Sequence, residues 1–257
     1  MLIKKLHKSN LIKAGIISLF CTQLLGLTQF QEDNIIKASK ISQKIKAKDG
    51  KSFPKIISSI MGQESSFGIH NIGDSLDENN KPKELWYCSL GAFQLKVSTA
   101  LNVIHETDLK NKYTGFNRIK YSDGVKYSQY VHNNNRMLYY EKIIDNKIWL
   151  KRYANHDKKA IKTLTWASNK FKKHRDIHKK LSIELKNHIV FIDKLLNNVE
   201  FGAEIASKFI VLNYESAKYT CSNPVDRAIS KYNGGLHNTT YVNKIKKTLS
   251  SLEKNKL

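Results

Sequence analysis

The chain has 257 residues, 40% hydrophobic and 26% charged, the balance of a globular protein with a real core and not of a disordered one. Only 3 Pro and 12 Gly exclude a collagen-like or linker-rich chain, and no apolar run reaches the roughly 20 residues of a membrane span, which excludes a polytopic membrane protein. With 44 Lys and Arg against 22 Asp and Glu the formal charge is +22, which attracts polyanions such as nucleic acid, anionic lipid or acidic cell-wall polymer without choosing among them.

Residues 1–28 are expected to be a signal peptide or an N-terminal anchor. Lys4, Lys5, Lys8 and Lys13 form a basic start, and Ala14 to Leu27 is an apolar stretch of signal-peptide length. No A-x-A cleavage site follows, and Phe20 stands where lipidation of Cys21 would want a small residue. A buried N-terminal helix is the alternative. Export to the periplasm or cell envelope is the reading that follows, and the leader lysines carry only four of the positive charges. Beyond the leader, Cys88 and Cys221 either form one disulfide or remain two buried thiols. No CxxC or CxxH spacing exists, so no metal is expected.

From Ser52 onward the chain reads as helix. Ile56, Ile57, Ile60 and Met61 mark one helix face that runs into Gln63-Glu64-Ser65. Gly68 to Lys83 reads as loop, and a second short helix is expected over Gly91 to Val103. Tyr113 to Tyr130 is the least helical stretch, with room for a small hairpin. Lys151 to Val190 carries twelve basic and three acidic residues. Ile177, Leu181, Leu185, Ile189, Ile192 and Leu196 nevertheless recur at helical spacing, which predicts one amphipathic helix with a solvated basic face. Val199, Gly202, Ile205, Ala206, Phe209 and Leu212 mark a further helix. Asn223-Pro224 then offers an N-cap with Pro at the first helical position, and Gly234-Gly235 a left-handed stop.

One acid stands out. Glu64 ends an apolar helix face just before a Ser-Ser-Phe-Gly turn. A carboxyl group held against apolar neighbours has its pKa raised, which is what a general acid needs at neutral pH. A structural or solvated glutamate at a helix end is the plainer alternative.

Its companions sharpen the reading. Glu64-Ser65, Gly91-Ala92-Phe93-Gln94, Asn198-Val199-Glu200-Phe201-Gly202 and Ala228 to Gly235 (AISKYNGG) follow one another in order. The set resembles the four-block signature of lytic transglycosylases with a lysozyme-like domain: E-S, G-x-x-Q, N-[IV]-x-x-G and A-x-Y-N-[AG]-G. One extra residue precedes Tyr232, and Tyr241-Val242-Asn243-Lys244-Ile245 resembles the Y-V-x-K-[VI] helix that follows in many members. About 105 residues are covered. The departure is the 104-residue separation of Gln94 from Asn198, where the family has a few dozen.

The resemblance implies a mainly α fold: a lysozyme-like catalytic domain over residues 45–250, interrupted by a long basic helical insertion at about 105–195. It implies cleavage of the β-1,4 bond between N-acetylmuramic acid and N-acetylglucosamine, forming a 1,6-anhydro sugar, with Glu64 as the single acid and base and no cofactor. Ser65, Gly91, Gln94, Tyr232 and Asn233 would serve the substrate side: Gln94 by donating to the sugar, Tyr232 by holding Glu64. Each has a plainer alternative, Ser65 as a helix-end hydroxyl, Gln94 as a surface amide and Tyr232 as a core ring. Glycan strands of peptidoglycan would be the partner, with an envelope protein complex as a further one, no nucleic acid, and membrane contact only through the N-terminal segment. Two other functions stay open. A hydrolytic muramidase would need a second carboxylate, from Asp74, Asp77, Glu78 or Glu84; a non-catalytic envelope-binding or assembly protein would use the basic segment to grip a polyanion. His174 and His178, four apart, lack a third metal ligand.

Overall fold

The computed structural model of the chain describes residues 27–153 and 158–254, so the leader reading lies almost wholly outside the described residues. Helix accounts for 71% and strand for 4%, which makes the fold mainly α, as expected. No described helix is long and apolar enough to cross a membrane.

The core reaches back before residue 45. Helix α1 (Gln29–Lys44) opens with a capping box, in which the Thr28 hydroxyl accepts from the Gln31 amide and the Gln31 side-chain oxygen accepts from the Thr28 amide. Its Ile35 and Ala38 are buried in the same core as helix α2 (Pro54–Ser65), whose Ile57, Ile60 and Met61 form the predicted apolar face. Pro54 sits in the first turn, where its missing N–H costs nothing.

After the expected loop comes a small antiparallel sheet of three two-residue strands in the order β1 (Ile72–Gly73), β2 (Ser89–Leu90) and β3 (Leu95–Lys96). Ile72 pairs with Leu90, and Leu90 with Leu95. The helix expected from Gly91 therefore starts only at Val97, as α3 (Val97–Glu106). Gly91 and Gln94 have φ of 73° and 48°, left-handed values that no helix admits, and the residues between them turn the chain from β2 to β3. A short helix α4 (Leu109–Lys112) follows. No hairpin forms over 113–130. Phe116 and Ile119 each bond back three residues to a carbonyl, a 3₁₀ turn covers Tyr121–Asp123, and a helix begins at Gly124.

That helix, α5 (Gly124–Tyr153), pairs antiparallel with α6 (Lys158–Glu184): Lys126 meets Glu184, Tyr130 stacks on His178, and Tyr140 meets Trp166. The single amphipathic helix expected here is two helices. Leu185, wholly buried, leaves helical backbone at φ −92° and ψ 13°, and α7 (Lys186–Asn197) resumes the stripe at Ile192 but buries Phe191 and Leu195 while the expected Ile189 and Leu196 are half-buried. Among the described residues of the α5–α6 hairpin, Tyr127 is the one fully buried member of the main core, with Tyr130 and Val131 half-buried against it.

Helix α8 (Val199–Ala217) runs through that core, capped by the Asn198 side chain accepting from Phe201. Helix α9 (Pro224–Tyr232) starts on the predicted Asn223 cap and stops at Gly234, whose φ of 77° suits glycine. Helix α10 (Thr239–Lys254) lies against α2 and α9. Cys88 and Cys221 are both free thiols, so the disulfide alternative is not formed. Cys88 is buried beside the Glu84 carbonyl, and Cys221 follows the end of α8.

Candidate active site

Glu64 occupies the last turn of α2, and the way that helix stops sets its position. Ser66, Phe67 and Gly68 all have positive φ, at 52°, 59° and 92°. Two consecutive non-glycine residues in that region are strained, and such strain persists only where neighbours enforce it. Here they do. The Gln31 and Asn34 amides of α1 donate to the Ser66 and Phe67 carbonyls at 3.2 and 2.9 Å. The Phe67 ring folds back onto Gly62, where any Cβ would lie 2.6 Å from it. Helix α1, whose residues before 45 carried no expected role, thus fixes the turn after the acid. The Thr28-x-x-Gln31 box was the signal that could have marked it.

The Glu64 carboxyl opens onto a cleft of about 210 Å³ lined by Gln63, Asn233, Asn238, Thr240, Tyr241 and Lys244. Burial raises its pKa above the ordinary carboxylate value. The Tyr241 hydroxyl donates to Oε1 at 2.5 Å and pulls the other way, and the negative charge of Asp74 adds to the rise. Burial prevails. Among the described residues no side chain is bonded to the second carboxyl oxygen.

The hydroxyl that holds Glu64 is therefore that of Tyr241 and not that of Tyr232. Tyr232, half-buried against the core, donates to the Phe93 carbonyl at 2.8 Å, and burial first, then the nearby Glu64 charge, push its own pKa up. It braces the turn between β2 and β3 from below. The Tyr241-Val242-Asn243-Lys244-Ile245 match was the signal for Tyr241, although the sequence gives that tyrosine no role by itself. Helix α10 is aimed by Asn238, whose side-chain oxygen accepts from the Tyr241 amide at 3.0 Å. Asn238 Nδ2 donates to Asn233 Oδ1 at 3.0 Å, which ties the predicted Asn233 into the cleft wall.

Ser65, Gly91 and Gln94 gather behind the acid and do not line this cleft. The buried Ser65 hydroxyl lies 2.6 Å from the Ala92 carbonyl and accepts from the Gly68 amide at 2.8 Å, so it latches the end of α2 to the β2–β3 turn. Gln94 donates through Nε2 to the His70 and Gly91 carbonyls at 2.8 and 2.9 Å, which closes the turn on itself. Gly91 must be glycine, because a Cβ there would sit 1.8 Å from the Leu195 carbonyl oxygen of α7. Likewise Gly202 of α8 lets the Phe93 ring approach within about 3 Å of where its Cβ would be.

Of the four candidate second carboxylates, Asp74 is the one whose charge reaches Glu64. It sits just after β1, accepts from the Ser89 hydroxyl at 3.0 Å and pairs with Lys96 at 3.8 Å. Asp77 instead caps its own loop by accepting from the Asn79 and Lys81 amides, and Glu84 accepts from the Ser128 hydroxyl. A second hollow of about 380 Å³ is bordered by Asn34, Gly68, Asn71, Ala92 and Asn198 and shares no lining residue with the first. Among the described residues no three His, Cys, Asp or Glu side chains come together as metal ligands. His174 turns its Nδ1 to Asn133 Oδ1 at 2.8 Å, and His178 stacks on Tyr130. Comparisons with protein-family models, with curated proteins and with solved structures find no match to this chain.

Proposed function

We propose that the chain is a peptidoglycan lytic transglycosylase with a lysozyme-like domain, acting in the cell envelope, with the α5–α6 region as its insertion. The observation that carries the reading is the pair of Glu64 and Tyr241: a desolvated carboxyl at a cleft, oriented by one hydroxyl, with no side chain among the described residues bonded to its second oxygen. As a neutral acid, Glu64 gives its proton to the leaving glycosidic oxygen as the bond to C1 breaks. The resulting carboxylate takes the proton of the muramic acid C6 hydroxyl, whose oxygen closes on C1. The carboxyl returns to its starting form, and the 1,6-anhydro product forms without water. A tethered nucleophile needs no second carboxylate, since proximity is built into the sugar. The Asn233 and Asn238 amides and the Thr240 hydroxyl suit the N-acetyl and hydroxyl groups of such a glycan.

One observation favours a second reading. Asp74, which pairs with Lys96, accepts from the Ser89 hydroxyl and acts on Glu64 through its charge, is the carboxylate a hydrolytic muramidase would use to activate water or steady the developing cation. Mass spectrometry of sacculi digested with the full chain separates the readings. Anhydro ends are the expected result; reducing ends would replace the reaction by hydrolysis, and no released fragment would leave an envelope-binding protein.

A further inference from the structure

Beyond Glu64 the cleft wall belongs to α10, and one of its residues fits neither the acid–base chemistry nor the packing. Lys244 follows Tyr241 by one turn, lines the cleft and is exposed to solvent. Among the described residues its ammonium makes no ion pair, whereas Lys246, two positions on, is paired with Asp226 at 2.6 Å. Gln63, Asn233, Asn238 and Thr240 around it are uncharged. Glu64 forms no ion pair with Lys244 among the described residues, and the Glu64 Oε1 is taken by the Tyr241 hydroxyl. The cleft thus sets a row of amide and hydroxyl groups beside one uncompensated cation. Lysine presents that charge as a compact point on a flexible stem, which suits a carboxylate carried on a flexible arm.

We infer that Lys244 is a specificity-determining binding residue for a carboxylate carried by the glycan, so that the cleft takes an acidic N-acetylated glycan ahead of a neutral one such as chitin. This rests on the glycan-cleaving reading above. The carboxylate has two sources of the same chemistry: the lactyl group of muramic acid and the stem peptide attached to it. The pair would be solvent-exposed, so its effect is a preference of roughly five- to tenfold and not an absolute requirement.

The test uses the full chain carrying Glu64→Gln, which cannot turn over, and measures binding by calorimetry at low salt. The three probes are chitotetraose, a tetrasaccharide of alternating N-acetylglucosamine and N-acetylmuramic acid with free lactyl carboxylates, and the same tetrasaccharide bearing stem peptides. The expected result is a roughly five- to tenfold preference for one or both acidic probes over chitotetraose. That preference should fall to near unity when Lys244→Gln is added and reverse with Lys244→Glu, in variants shown by circular dichroism to be folded. The acidic probe that is preferred identifies the source of the carboxylate. Glycans that bind with a preference Lys244→Gln leaves intact would overturn the lysine site alone. If none of the three binds, the glycan reading falls and the lysine site falls with it.

Discussion

Around Glu64 the chain packs rings onto glycines, Phe67 on Gly62 and Phe93 on Gly202, while between α5 and α6 it stacks imidazoles on tyrosines and sets an amide against one of those imidazoles. The first region shares one continuous apolar core with α1, α3, α8 and α10. The second joins that core through the buried Tyr127 and the half-buried Tyr130 and Val131, with small Ala160 and Ala167 letting the two helices approach. Close packing has few alternatives, because even one added methyl group is felt. It can therefore hold one carboxyl within the tolerance that proton transfer demands. A polar seam between two solvated helices has no such constraint. It responds instead to pH and salt, and each contrast below probes that division.

Replacing Glu64 by Gln is the sharpest cut. An amide of the same shape can neither give nor take the proton, so cleavage of sacculi should fall by at least about 100-fold while binding and fold remain. Turnover is measured as released soluble fragments. Retention of more than about a hundredth would mean that the chemistry lies outside the cleft.

Tyr241→Phe should cost less, roughly tenfold in kcat, because it removes one hydrogen bond to the acid and leaves the ring in place. Its effect on pH is more telling. The Tyr241 hydroxyl stabilises the carboxylate and so opposes the rise that burial imposes. Without it the Glu64 pKa climbs further, and the limb on which activity falls with rising pH moves to higher pH. A tyrosine that was merely structural would lower activity without moving that limb.

How much of this was legible in the sequence divides along the same line. The apolar face of α2, the Asn223 cap and the Gly234 stop are local periodicities and turn chemistry, and they stand as written in the chain; on α8 Gly202, Ile205 and Ala206 are buried as expected, while Val199, Phe209 and Leu212 are only half-buried. Glu64 was legible as a helix-end acid for the same reason. What Ser65, Gln94 and Tyr232 hold was not, because their partners lie in other elements: the Ala92, His70 and Phe93 carbonyls. Helix α5 was missed because its buried positions are Tyr127, Asn133 and Tyr140, and polar atoms at those places hide the period that apolar ones would reveal. The helix expected at Gly91 failed on backbone alone, since two left-handed residues turn the chain there.

Acid should divide the two regions with opposite sign. Burial first, then the charges of Arg136, His132, Lys173 and Lys170, hold His174 below its ordinary 6.5, and burial alone lowers His178 beside Tyr130. Below about pH 6.5 the opened hairpin therefore binds more protons than the closed one, and its stability falls as pH drops toward the depressed folded values. Glu64 behaves inversely: its folded pKa lies above 4.5, so lowering the pH toward that value relieves the cost of burying it. Hydrogen exchange compared at pH 7 and pH 5 should show amides of α5 and α6 losing protection while those of α2 do not. Equal loss in both regions would mean that they open as one unit.

The smallest effect expected is also the one that asks what the hairpin is for. Lys172, Lys173, Arg175, Lys179 and Lys180 are all exposed on α6, and among the described residues Arg175 alone of the five pairs with an acid, its neighbour Asp176. Exposed charges act over about 8–10 Å at physiological salt, so they raise encounter with an anionic mesh without selecting a bond in it. Changing all five to Gln should weaken binding to sacculi a few-fold at low salt and flatten its salt dependence, as read from pelleting across a salt series. Cleavage of a short soluble glycan should be unchanged, because none of the five lines the cleft. Removing the Lys173 charge also takes away one of the influences that depress His174, so the acid opening of the hairpin should weaken and begin at slightly lower pH. A variant that binds sacculi as tightly as the parent at low salt would show that these charges only solvate the helix. The hairpin would then matter to the cleft through Tyr127 and the packing beneath it, and not through its field.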